Sequence, residues 1–545
     1  MAGVALHLKR GWTGGRAQVR GTVFLGGRML SGPALSDHVG GLIGREAVFS
    51  FLRQANGFFS VVCWDGRQGW MAVDRVRGLP LFYGHKDGSL FVSDDAYQVL
   101  EYTGDRSVDG EARKEFLWLR SVTGRDTLFR SVKQVQAGEV VFLERDGRGD
   151  ISSTQEDYYI YRHEPSFEGD EDELAETMDR ALESSFRRLT EYAAGRPIVV
   201  PLSGGYDSRL TVTMLKRLGY PDVRTFTYGS PGNKESKWSR FVAEALDLPW
   251  HFVPYGPGDW HRWYRSPEMK GYMEYASGAS WLPIIQDLPA LLDLTRRSVF
   301  PEGSVFAPGH TVVVDRITDN LDEFWEKRGI RGEVAFCSLI RDLYFAVRKD
   351  VPLEISARGI RPLVERYAPK TKEDWVCLAD TWVWRECQAK NLIAWNQLYT
   401  FLGHTWWLPL WDSEYASTYA AAPLSLVADR TFYVSYVRRR FAQAAGLPLG
   451  RTPFNATDAQ HRRKRIKDAA KRFVSPRAMR RITGLFGRWV KRDPFEMAGL
   501  FSKEERALLG SGYSDLGLRA LDFLQSLEER LGAERMPARE RVQED

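Results

Sequence analysis

Up to about residue 143 the chain is patterned in short apolar or alternating runs, at residues 22–25, 58–64, 69–74, 81–83, 90–93 and 139–143. Gly- and Asp-rich stretches such as Trp64-Asp65-Gly66, Asp87-Gly88-Ser89 and Arg145-Asp146-Gly147 separate them, which predicts strands joined as hairpins. A polar, acidic stretch at residues 163–173 reads as a linker into a helix over about 174–192. The period then changes. Ile198-Val199-Val200-Pro201-Leu202 is a short apolar run, followed by two glycines and a helical pattern over 207–218 that Gly219 closes. A strand at 223–228, a helix at 235–246 and a strand at 250–253 follow. Strands alternating with helices of this length imply βαβ units and a parallel sheet. From about 260 to 447 the chain is helical and rich in Trp, and beyond that it reads as basic, then mixed-charge helices.

The fold class expected is an α+β, mostly β N-terminal domain over residues 1–160, then an α/β domain with a parallel sheet and a largely helical C-terminal part over 174–450. A basic, then mixed-charge helical extension covers 451–545. Composition agrees: 545 residues exceed what one core supports, and 43% hydrophobic with 27% charged residues excludes a disordered or fibrous chain. No apolar run reaches the length of a membrane span; the best, near 419–428, is interrupted by Pro423. The N-terminal residues lack a basic stretch followed by an apolar one, so a secretory signal is not expected. Four scattered cysteines (Cys63, Cys337, Cys377, Cys387) form neither a disulfide framework nor zinc spacing, and a cytoplasmic location is the expectation. Net charge is only +5, but between Arg451 and Arg492 there are fourteen Lys or Arg against Asp458 and Asp468.

Candidate chemistry lies in Ser203-Gly204-Gly205-Tyr206-Asp207-Ser208. Paired glycines at the carboxyl end of a parallel strand let the backbone turn tightly and present N–H groups to a polyanion, with the positive end of the next helix aimed at the same place. Ser203 and Ser208 add hydroxyl donors, and Asp207 offers a carboxylate that could hold Mg²⁺ beside phosphates, or merely cap the helix. The chain has no Gly-Lys dipeptide and hence no P-loop of the G-x-x-x-x-G-K-[ST] kind. Tyr228 and Gly229, ending the second strand, stand where a nucleoside would lie in such a sheet.

These six residues resemble the Ser-Gly-Gly-x-Asp-Ser pyrophosphate loop of ATP-pyrophosphatases, and the chain is most similar to asparagine synthetases and their relatives. The resemblance extends over residues 56–65 (Asn56-Gly57-Phe58-Phe59-Ser60 onward), 73–83 (Val73-Asp74-Arg75-Val76-Arg77-Gly78 onward), 88–94 (Gly88-Ser89-Leu90-Phe91-Val92-Ser93-Asp94) and Trp406-Trp407-Leu408-Pro409-Leu410-Trp411-Asp412. It implies a shortened N-terminal-nucleophile amidotransferase-like domain, and an ATP- and Mg²⁺-dependent ligase that adenylates a carboxylate, releases pyrophosphate and forms an amide with ammonia or an amine. Ser203, Gly204, Gly205, Asp207, Ser208, Tyr228 and Gly229 would bind the nucleotide, with Asp207 on the metal. His310 and Glu386 would serve catalysis, each also readable as a structural residue. Arg451 would replace the family's pyrophosphate-contacting lysine, with Lys464 or Lys467 as alternatives.

Two departures stand out. Glutamine-using relatives carry a cysteine directly after the initiator Met, whereas position 2 here is Ala2, so no glutaminase activity is expected. An acidic residue expected soon after Gly309 is delayed to Asp315. A lasso-peptide-type macrolactam cyclase, an ammonia-dependent asparagine synthetase and a non-catalytic scaffold remain open as alternatives, and a homodimer is compatible with the sequence.

The basic segment is either a solvated helix face or a surface for an acidic partner, the pyrophosphate or a polyanionic substrate. If it binds an anion, neutralising Arg462, Arg463, Lys464 and Arg465 together should lower substrate affinity and flatten its salt dependence, as read by titration at several ionic strengths. Unchanged affinity and salt slope would mark a solvated face.

Overall fold

The computed structural model describes residues 3–313, 325–326, 329–344, 353–427, 430–451, 495, 497–509 and 514–532. Two sheets build the N-terminal part. β1 (Val4–His7), β6 (Phe82–Lys86), β7 (Ser89–Ser93) and β8 (Lys133–Gln134) form one of four strands in the order β1-β7-β6-β8. β2 (Gln18–Leu25), β3 (Arg28–Ser31), β4 (Asn56–Trp64), β5 (Gln68–Val73), β9 (Glu139–Arg145) and β10 (Ile151–Asp157) form an antiparallel sheet in the order β10-β9-β5-β4-β2-β3.

Alternation along the strands decides the layers. In β4, Phe59 and Val61 pack with Leu35, Val39, Phe51 and Leu52 from helices Gly32–Gly40 and Gly44–Gln54. Val62 points the other way, into a core shared by Met71, Leu81, Leu90 and Val141. Helix Ala96–Thr103 packs on β6 and β7, and Gly110–Leu119 follows it. The sheet-rich reading of this part therefore holds, with four short helices that the strand pattern did not reveal. Each spans only 8 to 11 residues, too few for a 3.6-residue period to stand out. Two of them carried a different signal: Asp95 and Asp109 are N-caps whose carboxylates accept from Tyr97 N and Ala112 N.

Helix Glu171–Ala193 opens with a capping box in which Asp170 and Glu173 satisfy each other's backbone N–H. The acidic stretch read as linker is thus in part the first helical turn, where carboxylates favour the helix dipole. Next comes a five-stranded, wholly parallel sheet: β11 (Ile198–Pro201), β12 (Val223–Gly229), β13 (Trp250–Pro254), β14 (Val305–Phe306) and β15 (Thr405–Trp406), in the order β13-β12-β11-β14-β15. The first three match the sequence reading. The last two, each of two residues, are too short to leave a pattern. The chain direction across the sheet reverses beside β11, so the crevice at its carboxyl end is the topological switch point. Helices Gly332–Tyr344, Leu353–Tyr367, Lys372–Trp382 and Thr431–Ala444 and a π-helix over Val383–Ile393 follow. Among the described residues no helix is long and apolar enough to cross a membrane.

One hydrophobic core runs from the first domain into the second. Phe58 lies 5.1 Å from Trp406 and edge-on to Trp407 at 4.8 Å, while Tyr192 covers Trp407 at 4.6 Å. Polar locks surround this contact: Arg188 grips Asp412 through two 2.7 Å bonds, and Asn56 donates to the same carboxylate at 3.0 Å. Beneath the tryptophans the loop after β5 is built on buried Asp74, which accepts from the backbone N–H of Phe59, Val76 and Gly78. Burial nonetheless pushes its carboxyl up to about 6. Gly78 leaves the room that Trp406 fills: a Cβ there would stand 2.5 Å from Trp406 Cη2 and 3.3 Å from Asp74 Oδ2. Gly78→Ala is expected to destabilise the protein by about 1–3 kcal/mol, the cost of overpacking. Trp406→Phe in the same chain should recover part of that loss, a coupling that a double-mutant cycle of denaturant midpoints measures.

Candidate functional site

β11 carries Ile198, Val199 and Val200 fully buried and delivers the chain into Leu202, Ser203 and the two glycines. The loop is tied by hydroxyls. Ser203 N donates to Ser208 Oγ at 3.1 Å, the two hydroxyls lie 3.1 Å apart, and Gly205 N donates to Ser203 Oγ at 3.1 Å. Helix Tyr206–Arg217 begins immediately, with Gly205 at its N-cap. The glycines serve by their size. Neither adopts a positive φ, but a Cβ on Gly204 would meet Trp238 Cβ at 3.3 Å and Glu235 Cα at 3.4 Å. The tight turn expected from flexible glycines is therefore a close approach of helix Lys234–Ala245.

The loop after β14 closes the other side. Ala307 N donates to Val199 O at 2.9 Å, and a Cβ on Gly309 would lie 2.5 Å from Ser208 N and 2.8 Å from the carbonyl carbon of Asp207. His310 follows, with Nδ1 3.3 Å from Asn396 Nδ2 and its ring 5.6 Å from that of Trp395. Desolvation pushes its imidazole down to about 4. At neutral pH it is an uncharged hydrogen-bonding group, able to meet an oxygen or an N–H but carrying no charge of its own. Val314 and Asp315, the delayed acidic position, lie outside the described residues.

Asp207 sits in the first turn of its helix, 28% exposed, and is held from a helix more than two hundred residues downstream. Arg430 Nη2 pairs with Asp207 Oδ1 at 3.0 Å, and Tyr433 donates to the same oxygen at 2.7 Å. Neither residue figured in the sequence reading. Both belong to Thr431–Ala444 or its N-cap, which packs on helix Tyr206–Arg217. The one local clue is that Arg430 takes φ +62°, a left-handed conformation uncommon away from glycine, visible only in three dimensions.

The remaining expected residues are dispersed. Tyr228 ends β12 with its ring stacked 5.1 Å from Tyr255, and its hydroxyl donates to buried Asp287, whose carboxyl burial pushes up to about 7. Gly229, at φ +123°, passes its carbonyl to Tyr255 N at 2.9 Å. Glu386 is buried in the π-helix, pairs with Lys390 at 2.6 Å and accepts from Gly124 N of the first domain. Lys390 in turn donates to the carbonyls of Val122 and Gly124. This pair clamps the domains together, so the structure gives Glu386 a docking contact and not one with the 203–208 loop. The backbone of Arg451 lies in a short 3₁₀ turn, Leu449–Arg451; its side chain, Lys464, Lys467 and the rest of the basic segment lie outside the described residues.

The arrangement can hold a polyphosphate. Two serine hydroxyls, onto which the N–H groups of Ser203 and Gly205 are folded, and the positive end of a 12-residue helix converge at the switch point. Among the described residues no three His, Cys, Asp or Glu side chains gather as a metal site. Asp207 alone would face Mg²⁺, a donor set that fits an ion arriving with the phosphates of a nucleotide and not one held by protein alone.

A glutamine amidotransferase domain model matches residues 44–159, and an asparagine synthase model matches residues 177–267. That pairing is the make-up of an ATP-using, amide-forming carbon–nitrogen ligase. In chain order, these two stretches are similar to the paired domains of asparagine synthetase-like proteins. No curated protein matches it. Among solved structures, an NH3-dependent NAD synthetase from Campylobacter jejuni subsp. jejuni NCTC 11168 in complex with the nitrate ion is 11% identical, with 39% of this chain and 93% of that chain covered and a TM-score of 0.20. A glutamine phosphoribosylpyrophosphate amidotransferase from B. subtilis complexed with ADP and GMP is 10% identical, with 67% and 76% covered and a TM-score of 0.18. At such scores neither likeness bears on function.

Without Arg430, the Asp207 carboxylate would lose the cation that offsets its charge. Arg430→Ala is expected to weaken ATP binding on the order of tenfold at low Mg²⁺ and to recover as Mg²⁺ is raised. Tyr433→Phe, which removes one hydrogen bond, should cost about 1 kcal/mol. Calorimetric titration with ATP across a Mg²⁺ series separates the two; a loss that Mg²⁺ does not restore would mean that Arg430 itself contacts the phosphates.

Proposed function

We propose that the protein activates a carboxylate with ATP as an acyl-adenylate, releases pyrophosphate and couples the acyl group to ammonia or an amine, with no glutaminase activity of its own. The observation that carries this reading is the 203–208 loop at the carboxyl end of the central parallel strand, with Gly309 pressed against Ser208 from the neighbouring loop. A carboxylate is a poor electrophile until one oxygen becomes a leaving group. Its oxygen attacks the α-phosphorus, the bond to the bridging oxygen of the pyrophosphate breaks, and nitrogen then attacks the acyl carbon while AMP departs and the nitrogen gives up a proton.

Ser203, Gly204, Gly205 and Ser208 would hold the departing pyrophosphate by N–H and O–H donation, preorganised before charge develops. Tyr228 and Gly229 would border the nucleoside. Mg²⁺, met by Asp207, would neutralise phosphate charge. His310, uncharged and next to Gly309, would orient the reacting carboxyl oxygen or the incoming nitrogen. Arg451 is proposed for the pyrophosphate side on sequence grounds alone.

The absence of glutaminase activity rests on the cysteines. Glutamine hydrolysis in the family uses a thiol beside its own free α-amine, and Cys63 lies inside β4, paired in register with Trp70, its thiol pushed up by burial and then by Asp65. Cys337, Cys377 and Cys387 lie within helices. A second reading, a non-catalytic scaffold, is favoured by one observation: Asp207 is already engaged by Arg430 and Tyr433.

Incubation with ATP, Mg²⁺, ammonium and a panel of carboxylates should give AMP and pyrophosphate, with carboxylate-dependent ATP–pyrophosphate exchange. ADP and phosphate as products would overturn the mechanism, and no exchange with any carboxylate would favour the scaffold. Glutamine in place of ammonium should release no glutamate above the uncatalysed rate; release that disappears in Cys63→Ala would restore an amidotransferase.

A further inference from the structure

Between the two domains lies a cavity of about 430 Å³. Its walls come from β2 and β4 of the first domain, from Tyr192 near the end of the helix before β11, and from residues 400–407, which run through β15. None of residues 203–208 lines it. The volume lies within the range of small-molecule sites, and the lining has their character: aromatic faces with a few placed polar groups. Phe58, Tyr192 and Trp407 supply the aromatic faces, and Arg10 and Arg20 the charge. Among the described residues no Asp or Glu lines it.

The arginines are unequally committed. Arg10 lies over the ring of Tyr275 at 3.7 Å and donates to its carbonyl. Arg20 is only 7% exposed; its guanidinium also meets the Tyr275 side chain, but its Nη1 has no hydrogen-bond partner among the described residues. Asp94, the nearest carboxylate, stays 3.9 Å from that atom and is occupied by the N–H groups of Lys9, Arg10 and Trp12. On the same wall His404 Nδ1 and Trp407 Nε1, both buried, also lack a hydrogen-bond partner among the described residues. A buried guanidinium with an unmade hydrogen bond, next to two further unsatisfied nitrogens, is costly unless something supplies acceptor oxygens.

We infer that this interdomain cavity is a binding site, separate from the nucleotide site, for a small carboxylate with an aromatic body, the carboxylate meeting Arg20 and the ring lying against the packed Phe58, Trp407 and Tyr192 cluster. Bound there, the ligand touches both domains and favours their docked arrangement, so the melting temperature should rise with ligand concentration, the stabilisation following RT ln(1 + L/Kd) with L the free ligand concentration.

The test titrates the full chain with phenylacetate by calorimetry and by thermal melting, and with 2-phenylacetamide as a neutral counterpart of the same shape. Expected are saturable binding of phenylacetate, an amide weaker by on the order of tenfold or more, and no displacement by saturating ATP. Arg20→Gln should weaken phenylacetate by a similar factor. Because Arg20 is buried and its replacement could harm folding, Thr400→Phe, a lining position filled with a ring, gives an independent check and should abolish binding. Equal binding of acid and amide, displacement by ATP, phenylacetate affinity unaltered in a folded Thr400→Phe chain, or no saturable binding would each overturn the assignment.

Discussion

How near two loops can come to each other governs the whole site. β11 and β14 are neighbours in the parallel sheet, Ile198 opposite Val305, and the loops leaving them meet at Gly309 and the first turn of the next helix. Any side chain at 309 would drive into the backbone N–H of Ser208. With none there, the second loop rests directly on the helix terminus and lends it a second wall without covering the donors. Gly204 does the same against Trp238 on the opposite flank. The cradle is thus shaped from both sides by missing Cβ atoms, and the positive end of a helix is left in a narrow crevice that favours an anion.

Much of this was legible in the chain. The run from Ile198 to Ser208 declared strand, turn and helix because its signals are local: an apolar run, two glycines, then a helical period. The segment from Trp406 to Asp412 was recognisable too, and it forms the seam on which Phe58 and Arg188 close. What escaped was non-local. Arg430 and Tyr433 reach Asp207 across more than two hundred residues of chain, and a helix pattern tells which face is apolar but not which carboxylate its polar edge will meet. Glu386 and Lys390, four apart, look like the ion pair of any solvated helix; only the fold buries them and turns both toward the backbone of the first domain.

The seam between domains is built from unequal materials. Its centre is aromatic, where Phe58, Trp406, Trp407 and Tyr192 interlock at 4.6 to 5.1 Å. Its margin is polar, where Arg188 and Asn56 share Asp412 and Lys390 reaches two carbonyls. Apolar contact supplies the adhesion, and the directional bonds fix one orientation out of the many that flat aromatic surfaces would allow. The first domain, whatever its own chemistry, therefore acts as a fixed wall for the sheet that carries the 203–208 loop.

The π-helix at Val383–Ile393 sets a constraint on how such a chain can change over generations. A π-turn holds more residues than the 3.6 of an α-turn, so losing one residue inside it would let the segment relax into the commoner helix. The same loss would change the spacing between Glu386 and Lys390, which now places both on the backbone of the first domain. Relaxing that one turn would require the partners on both domains to change with it, so lineages bearing this clamp should tolerate substitutions there far more readily than single-residue deletions.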